Sequence, residues 1–255
     1  MFNIPGFAVT SKDALTSAGV LALADFVMTT CQEIVPIIQR QAKMPSSRVE
    51  SVPTGVDVLS ILKKKDAHKK FRKDLGIEDH DFLVGMVCFM RSWKGVDDFI
   101  DAANLTKDTP NLKWVIIGGG HEEKYRLKAK ELGLENLIFT GHLENPFSAI
   151  SSIDAFCLLS TAHEGVSQAS LQASLFEKPL ITTETGGLKE VCIDKQTGII
   201  VPCHSPEKVK DAALFLKQNH LQAYSLGKNA KKHVEKLFSY DRMLDRIDEI
   251  YSGLQ

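Results

Sequence analysis

Two apolar runs, residues 82–90 (FLVGMVCFM) and 154–159 (DAFCLL), show no alternation of polar and apolar side chains. A strand wetted on one face alternates with a period of two, so these runs read as strands covered on both faces, as in a parallel sheet. They belong to a regular succession. The pattern predicts strands at 82–90, 113–117, 136–140 and 154–159, separated by helices at 96–106, 122–132 and 145–151. A helix over SQASLQASLFE (167–177), halted at Lys178-Pro179, leads to strands at 180–184 and 199–201. Helices at 206–217, 221–236 and 240–251 complete the chain. Strands alternating with helices mean an α/β fold on a doubly wound parallel sheet, whose ligands bind at the carboxyl ends of the strands.

The preceding segment is less regular. Residues 1–11 carry no periodicity, 13–24 reads as a helix and 25–30 as a short buried strand. Residues 33–41 form an amphipathic helix with Pro36 in its first turn, where a missing N–H is tolerated. Residues 48–52 form another strand, closed by Pro53-Thr54-Gly55. Two strands and two helices are too little for a domain with its own core. Residues 58–80 read as a polar connector containing KKKDAHKKFRK. That run suits an anionic membrane surface or a solvated helix on a linker, and the interruptions at Asp66 and Asp74 favour the second.

With 44% hydrophobic and 25% charged residues and a formal net charge of −1, the composition is that of a soluble globular protein. Bulk charge gives no case for a nucleic-acid partner. Cys31, Cys88, Cys157, Cys192 and Cys203 form no CxxC pair. Three lie in apolar runs and read as buried thiols of a reducing compartment. No basic leader or apolar run of membrane-spanning length is evident, so a cytoplasmic location is expected.

The chemistry concentrates in residues 163–191 (HEGVSQASLQASLFEKPLITTETGGLKEV). Gly165 beside a helix start at Ser167 exposes backbone N–H groups, which can hold a diphosphate without a metal. Glu164 would repel that phosphate and so faces a neutral, hydroxyl-rich part of the same ligand. The pairing points to a nucleotide-sugar. Upstream, Arg91-Ser92-Trp93-Lys94-Gly95 joins a buried strand to a helix. Its two cations can clamp phosphate, Arg through a planar fork and Lys as a point charge, or simply flank a packed Trp93. Gly118-Gly119-Gly120 fails the GxGxxG fingerprint because Glu123 stands where the third glycine belongs. It reads as a tight turn that brings backbone close to a crevice. Gln172, on the helix face shared with Gln168, can bond ribose hydroxyls or stay solvated, and His163 can touch the sugar or support the acid. No Ser-His-Asp set, metal-ligand cluster or matched carboxylate pair is present in the sequence.

Taken together these residues resemble the C-terminal half of the GT-B glycosyltransferases of family 4, retaining enzymes that include lipopolysaccharide-core and mannosyl transferases. The resemblance runs from about residue 24 to the end. Its landmarks are VPTGVD (52–57), RSWKG (91–95), IGGG (117–120), FTGH (139–142), Glu164-Gly165, GGLKEV (186–191), TGIIVP (197–202) and Phe238-Ser239. It implies a nucleotide-diphosphate sugar as donor, bound without metal or other cofactor. Lys94 with Arg91 would hold the diphosphate, assisted by backbone amides from Gly165 through Val166 to Ser167. Glu164 would hold the donor sugar, with His163 nearby, Gln172 would meet the ribose, and the backbone near His142 and Leu143 would meet the base above the Gly119 turn. Front-face transfer with retention then needs no enzyme nucleophile, since the leaving diphosphate is stabilised by Arg, Lys and the helix N-terminus.

Two departures qualify the resemblance. The family's second glutamate is Gln172 here, and the arginine stands closer to the lysine than in many members. The resemblance divides the chain into a remnant of the N-terminal acceptor domain (1–52), a nucleotide-sugar-binding domain (53–238) and a C-terminal crossing helix (239–255). That helix should expose an apolar patch where an N-terminal domain packs. The expected role is sugar transfer to a carbohydrate or lipid-linked acceptor in bacterial lipopolysaccharide or envelope polysaccharide assembly, at the inner face of the cytoplasmic membrane. The alternatives are a non-catalytic nucleotide-sugar-binding module that works with a partner chain supplying the acceptor domain, and, more distantly, an epimerase or phosphorylase of the same fold.

Overall fold

The computed structural model describes residues 23–63 and 68–254. Strands β1 (Val27–Thr29) and β2 (Val49–Ser51) pair in parallel as a two-stranded sheet. The main sheet contains β3 (Phe82–Val87), β4 (Leu112–Ile117), β5 (Leu137–Gly141), β6 (Ala155–Leu158), β7 (Leu180–Thr182) and β8 (Gly198–Ile200). Its order is β5-β4-β3-β6-β7-β8, and every neighbouring pair is parallel. The chain moves outward from β3 to β5, returns to lay β6 beside β3, and then builds the other half. The reversal between β3 and β6 opens a crevice at the carboxyl edge.

The helices are α1 (Val35–Ala42), α2 (Val58–Leu62), α3 (His68–Asp74), α4 (Val96–Leu105), α5 (Glu122–Glu131) and α6 (Phe147–Ser152), then α7 (Gln168–Leu175), α8 (Leu188–Val191), α9 (Pro206–Gln218), α10 (His220–Leu237) and α11 (Tyr240–Ser252). The unbroken apolar strands are explained by two cores. Phe82, Val84 and Met86 enter the cluster that holds Phe99, Ile100 and Leu216. Leu83 enters the opposite cluster with Ile150, Leu171 and Val234. Alternate side chains of β3 therefore serve different layers, and neither face meets water.

Most element positions match the sequence pattern, and the differences have local causes. The strand expected over 82–90 ends at Val87. Met90 is fully buried, but its N–H turns to Gly119 O (2.8 Å), so the apolar run outlasts the strand. The helix expected at 13–24 lies outside the described residues except for Leu23 and Ala24, which are not helical. The connector at 58–80 requires correction. Phe71, Leu75 and Ile77 pack into the second core. Arg72 donates to Ser152 O (2.9 Å), Asp154 Oδ2 (3.2 Å), Glu78 O (2.8 Å) and Asp81 O (2.6 Å). A guanidinium with five donors in a fixed fork ties α3 to the loop before β3 and to the junction of α6 and β6, so this segment is docked rather than solvated. Lys64, Lys65 and Asp66 lie outside the described residues.

The β1–β2 unit has a small core of its own, made by Val27, Ile38, Ala42, Met44 and Val49. Helix α11 returns beside it. Arg246 grips Glu50 through Nε–Oε1 (2.8 Å) and Nη2–Oε2 (2.5 Å), and Tyr240 N donates to Val56 O (3.0 Å). Ile250 is the buried side chain of this helix, whereas Tyr240, Leu244 and Tyr251 are exposed. Their spacing of four and seven puts them on one stripe, the apolar patch expected there.

Candidate active site

Two loops meet where the strand order reverses. After β3 the chain makes a 3-10 turn, Ser92–Lys94, and enters α4 through Gly95 at φ 68°. A Cβ on Gly95 would lie 2.2 Å from Leu159 O, so only glycine lets this turn close on the end of β6. After β6 the chain runs to Ser167, whose Oγ caps α7 by accepting from Ser170 N (3.4 Å). Thr161 N donates to Trp93 O (2.8 Å) and holds the loops together.

This packing brings Lys94 and Glu164 into contact across 70 residues of sequence. Nζ lies 2.7 Å from Oε2, and the two side chains are 19% and 8% exposed. Such a pair is little screened by solvent. The same Oε2 accepts a hydrogen bond from Ser160 Oγ, whereas no described residue donates to Oε1. Ser160 is fully buried, and its carbonyl accepts from Thr183 Oγ1 (2.6 Å) at the end of β7.

The backbone around Glu164 is gripped from both sides. Its carbonyl accepts from Gly187 N (3.1 Å) and passes so close to Gly186 that a Cβ there would sit 1.8 Å away. Gly186 also has φ 56°. From the other side, Cys31 Sγ lies 3.8 Å from the same carbonyl, and Val166 N donates to Thr30 O (3.1 Å). This contact corrects one expectation: the Val166 amide is already engaged by Thr30 O, so of the three amides expected to meet an anion at the start of α7 those of Gly165 and Ser167 are left. His163 adopts φ 54° and sets its ring edge-on to Trp93 at 5.4 Å. A left-handed non-glycine residue of this kind costs of order 1–3 kcal/mol and is held by the packing around it.

The remaining candidates lie on the turns that follow β3, β4 and β5 and on α7. Gly118 N donates to Gly141 O (3.0 Å), and a Cβ on Gly119 would touch His142 Cβ at 3.5 Å, so this turn and the segment of His142 and Leu143 adjoin. On α7, Gln168 Nε2 is taken by Thr54 O (3.1 Å) and Gly55 O (3.3 Å). Gln172 is half-buried, and no described residue bonds its side chain. Arg91 is not brought to the Lys94–Glu164 pair. Its guanidinium stacks on Phe89 (5.2 Å) and Trp93 (5.1 Å) and lines a neighbouring cavity of about 670 Å³ with Gly120, His121 and Glu122. Cation–π stacking leaves the N–H edge of the fork open.

Burial pushes the Cys88 thiol, near the pair, up to about 12, with Lys94 opposing and Glu164 reinforcing the shift. That sulfur is inert at neutral pH. Asp98, at the start of α4, is raised mainly by burial, against the pull of His204. Among the described residues no three His, Cys, Asp or Glu side chains are grouped to hold a metal ion, and no helix is long and apolar enough to cross a membrane. Sequence reasoning did not single out Ser160, Thr183, Thr30 or Cys31. The available signal was a hydroxyl residue at the end of each of the apolar runs leading into the crevice, LLS and LITT.

A doubly wound parallel sheet with this site at its carboxyl edge is the Rossmann-like domain of GT-B proteins. Residues 67–233, well over half of the chain, match the family described as Glycosyl transferases group 1, and the chain belongs to that family. It is 27% identical over 239 residues to O-antigen chain mannosyltransferase C of Escherichia coli, covering 92% of this chain and 62% of that protein. It is 25% identical over 240 residues to D-inositol 3-phosphate glycosyltransferase of Corynebacterium glutamicum, covering 90% and 57%. Anabaena HepE, solved in complex with UDP-glucose, superposes with a TM-score of 0.86 at 19% identity, over 96% of this chain and 68% of that one. WaaG, a glycosyltransferase involved in lipopolysaccharide biosynthesis, gives 0.75 at 18% identity, over 88% and 62%. The chain thus spans 57 to 62% of the length of these two curated relatives.

Proposed function

We propose that this chain carries the donor half of a retaining family 4 glycosyltransferase, binding a nucleotide-diphosphate sugar and passing the sugar to a carbohydrate or lipid-linked acceptor of the cell envelope. The observation that carries this reading is the shielded Lys94–Glu164 contact of 2.7 Å at the reversal of strand order, beside the start of α7. In the bound state Lys94 turns to the diphosphate, together with the Gly165 and Ser167 amides. Glu164 presents Oε1 to sugar hydroxyls. Gln172 offers its side-chain amide to the ribose, and His142 and Leu143 present backbone to the base above Gly119. His163 closes the sugar end of the crevice. The lysine and the helix start then stabilise the negative charge that develops on the leaving diphosphate, with no enzyme nucleophile and no metal. Arg91 joins them only by leaving its aromatic stack.

The relative that assembles O-antigen and the neighbour crystallised with UDP-glucose support this donor and this pathway class. Gln172 in place of a carboxylate weakens the ribose contact by about 1–2 kcal/mol, roughly tenfold in affinity. That favours a second reading, a donor-binding module completed by a partner chain at the cytoplasmic membrane. Calorimetric titration with UDP, GDP, UDP-glucose and GDP-mannose in EDTA tests the common part. At least one nucleotide should bind, and Lys94→Ala should abolish its binding. Wild-type protein that binds none of the four refutes the donor reading. Binding without turnover of the sugar selects the module over the enzyme.

A further inference from the structure

We infer that Ser160 is the positioning residue of the sugar-holding carboxylate, and that it takes over Glu164 when Lys94 leaves for the diphosphate; the inference rests on the donor reading above. Glu164 Oε2 accepts from the Lys94 ammonium at 2.7 Å and from the Ser160 hydroxyl. A lysine that clamps a diphosphate can no longer neutralise Glu164 at the same distance, because both oxyanions compete for one point charge. The carboxylate is 8% exposed, so water cannot replace the lost partner freely. Ser160 then supplies the hydrogen bond that still fixes the side chain and keeps Oε1 directed at the ligand.

Ser160 is built for that task. It is fully buried, so its hydroxyl has no solvent alternative, and it lies one residue beyond the apolar run that ends β6. Thr183, itself 1% exposed, donates to the Ser160 carbonyl at 2.6 Å and braces it from the neighbouring strand end. The chain Thr183–Ser160–Glu164 therefore transmits the rigidity of the sheet to a loop carboxylate. Lys94 is not part of that chain, which leaves it free to move.

The test compares the affinities of each variant for a nucleotide and for its sugar conjugate, UDP against UDP-glucose and GDP against GDP-mannose. Ser160→Ala should lower the affinity for the sugar conjugate about five- to tenfold and leave the nucleotide alone unchanged. Ser160→Cys, a weaker donor of similar size, should fall between. Thr183→Val, which removes the brace and keeps the hydroxyl, should shift the same ratio by about twofold, and it serves if Ser160→Ala does not fold. Because Ser160 acts through Glu164, adding Ser160→Ala to Glu164→Gln should cost the conjugate less than threefold more. Equal losses for nucleotide and conjugate, an unchanged ratio in both Ser160→Ala and Thr183→Val, or full additivity with Glu164→Gln would overturn the inference while leaving the donor reading intact. Wild-type protein that binds none of the four probes overturns both.

Discussion

Replacing Lys94 by methionine removes the charge from a shielded pair and keeps most of the packing stem. Glu164 is then left 8% exposed with Ser160 as its donor. Removing one partner of a buried ion pair costs about 3–5 kcal/mol, because the other charge stays desolvated. One hydrogen bond survives here and Lys94 is 19% exposed, so the lower end, about 3 kcal/mol, is expected. For a chain of this size that corresponds to a fall in Tm of roughly 6–12 °C. Adding Glu164→Gln removes the stranded charge and should restore all but about 1 kcal/mol, because a neutral amide can still accept from Ser160. Differential scanning calorimetry of wild type, both single variants and the double variant closes the cycle. The coupling should persist at high salt, since screening acts weakly on charges that water does not reach. A Lys94→Met variant within 2 °C of wild type, or a double variant no more stable than it, would refute the picture of a desolvated pair.

Two further expectations concern the loop and its flank. Gly186→Ala places a methyl 1.8 Å from Glu164 O at φ 56°, whereas Gly76→Ala, at φ 66° with nothing within 4 Å, carries only the backbone strain. In urea unfolding the first should lose well over 2 kcal/mol and the second about 1; equal losses would show that the loop gives way. Asp98 has a folded pKa raised by burial, so its contribution is fully present below the unfolded value and is lost as pH rises through the folded one. Asp98→Asn should therefore raise Tm at pH 7 and leave it unchanged near pH 3. A loss of stability at pH 7 would mean that the His204 contact outweighs desolvation.

The sheet was legible because its strands announce burial directly. FLVGMVCFM cannot be wetted on either face, and the structure divides its side chains between two cores. Glu164, Lys94 and Gln172 were legible as residue types at particular distances from glycines and strand ends. Partnerships were not. The capture of the Val166 amide by Thr30 depends on a contact across 136 positions, for which local pattern carries no signal. The docking of Arg72 was hidden by its lysine-rich surroundings, because charge runs give composition and not the direction of one side chain. Arg91 shows the same limit. Its place beside Lys94 in sequence says nothing of the ring stack that holds it.

The contact from Thr30 and Cys31 also bears on how the site works. The loop bearing Glu164 is bonded to β7's end through Ser160 and Thr183, to the Gly186–Gly187 turn, and to the end of β1. The last of these belongs to the small two-stranded unit rather than the main sheet. That unit is fastened again by Gln32 N to Glu190 Oε1 (2.7 Å) and Lys189 to Glu33 (2.7 Å), both on the segment that follows Gly187. A displacement of the β1–β2 unit must therefore move the Glu164 carbonyl and the Val166 amide, or break these bonds. Thus the position of the small unit and the geometry of Glu164 are physically linked, with the loop as the shared element.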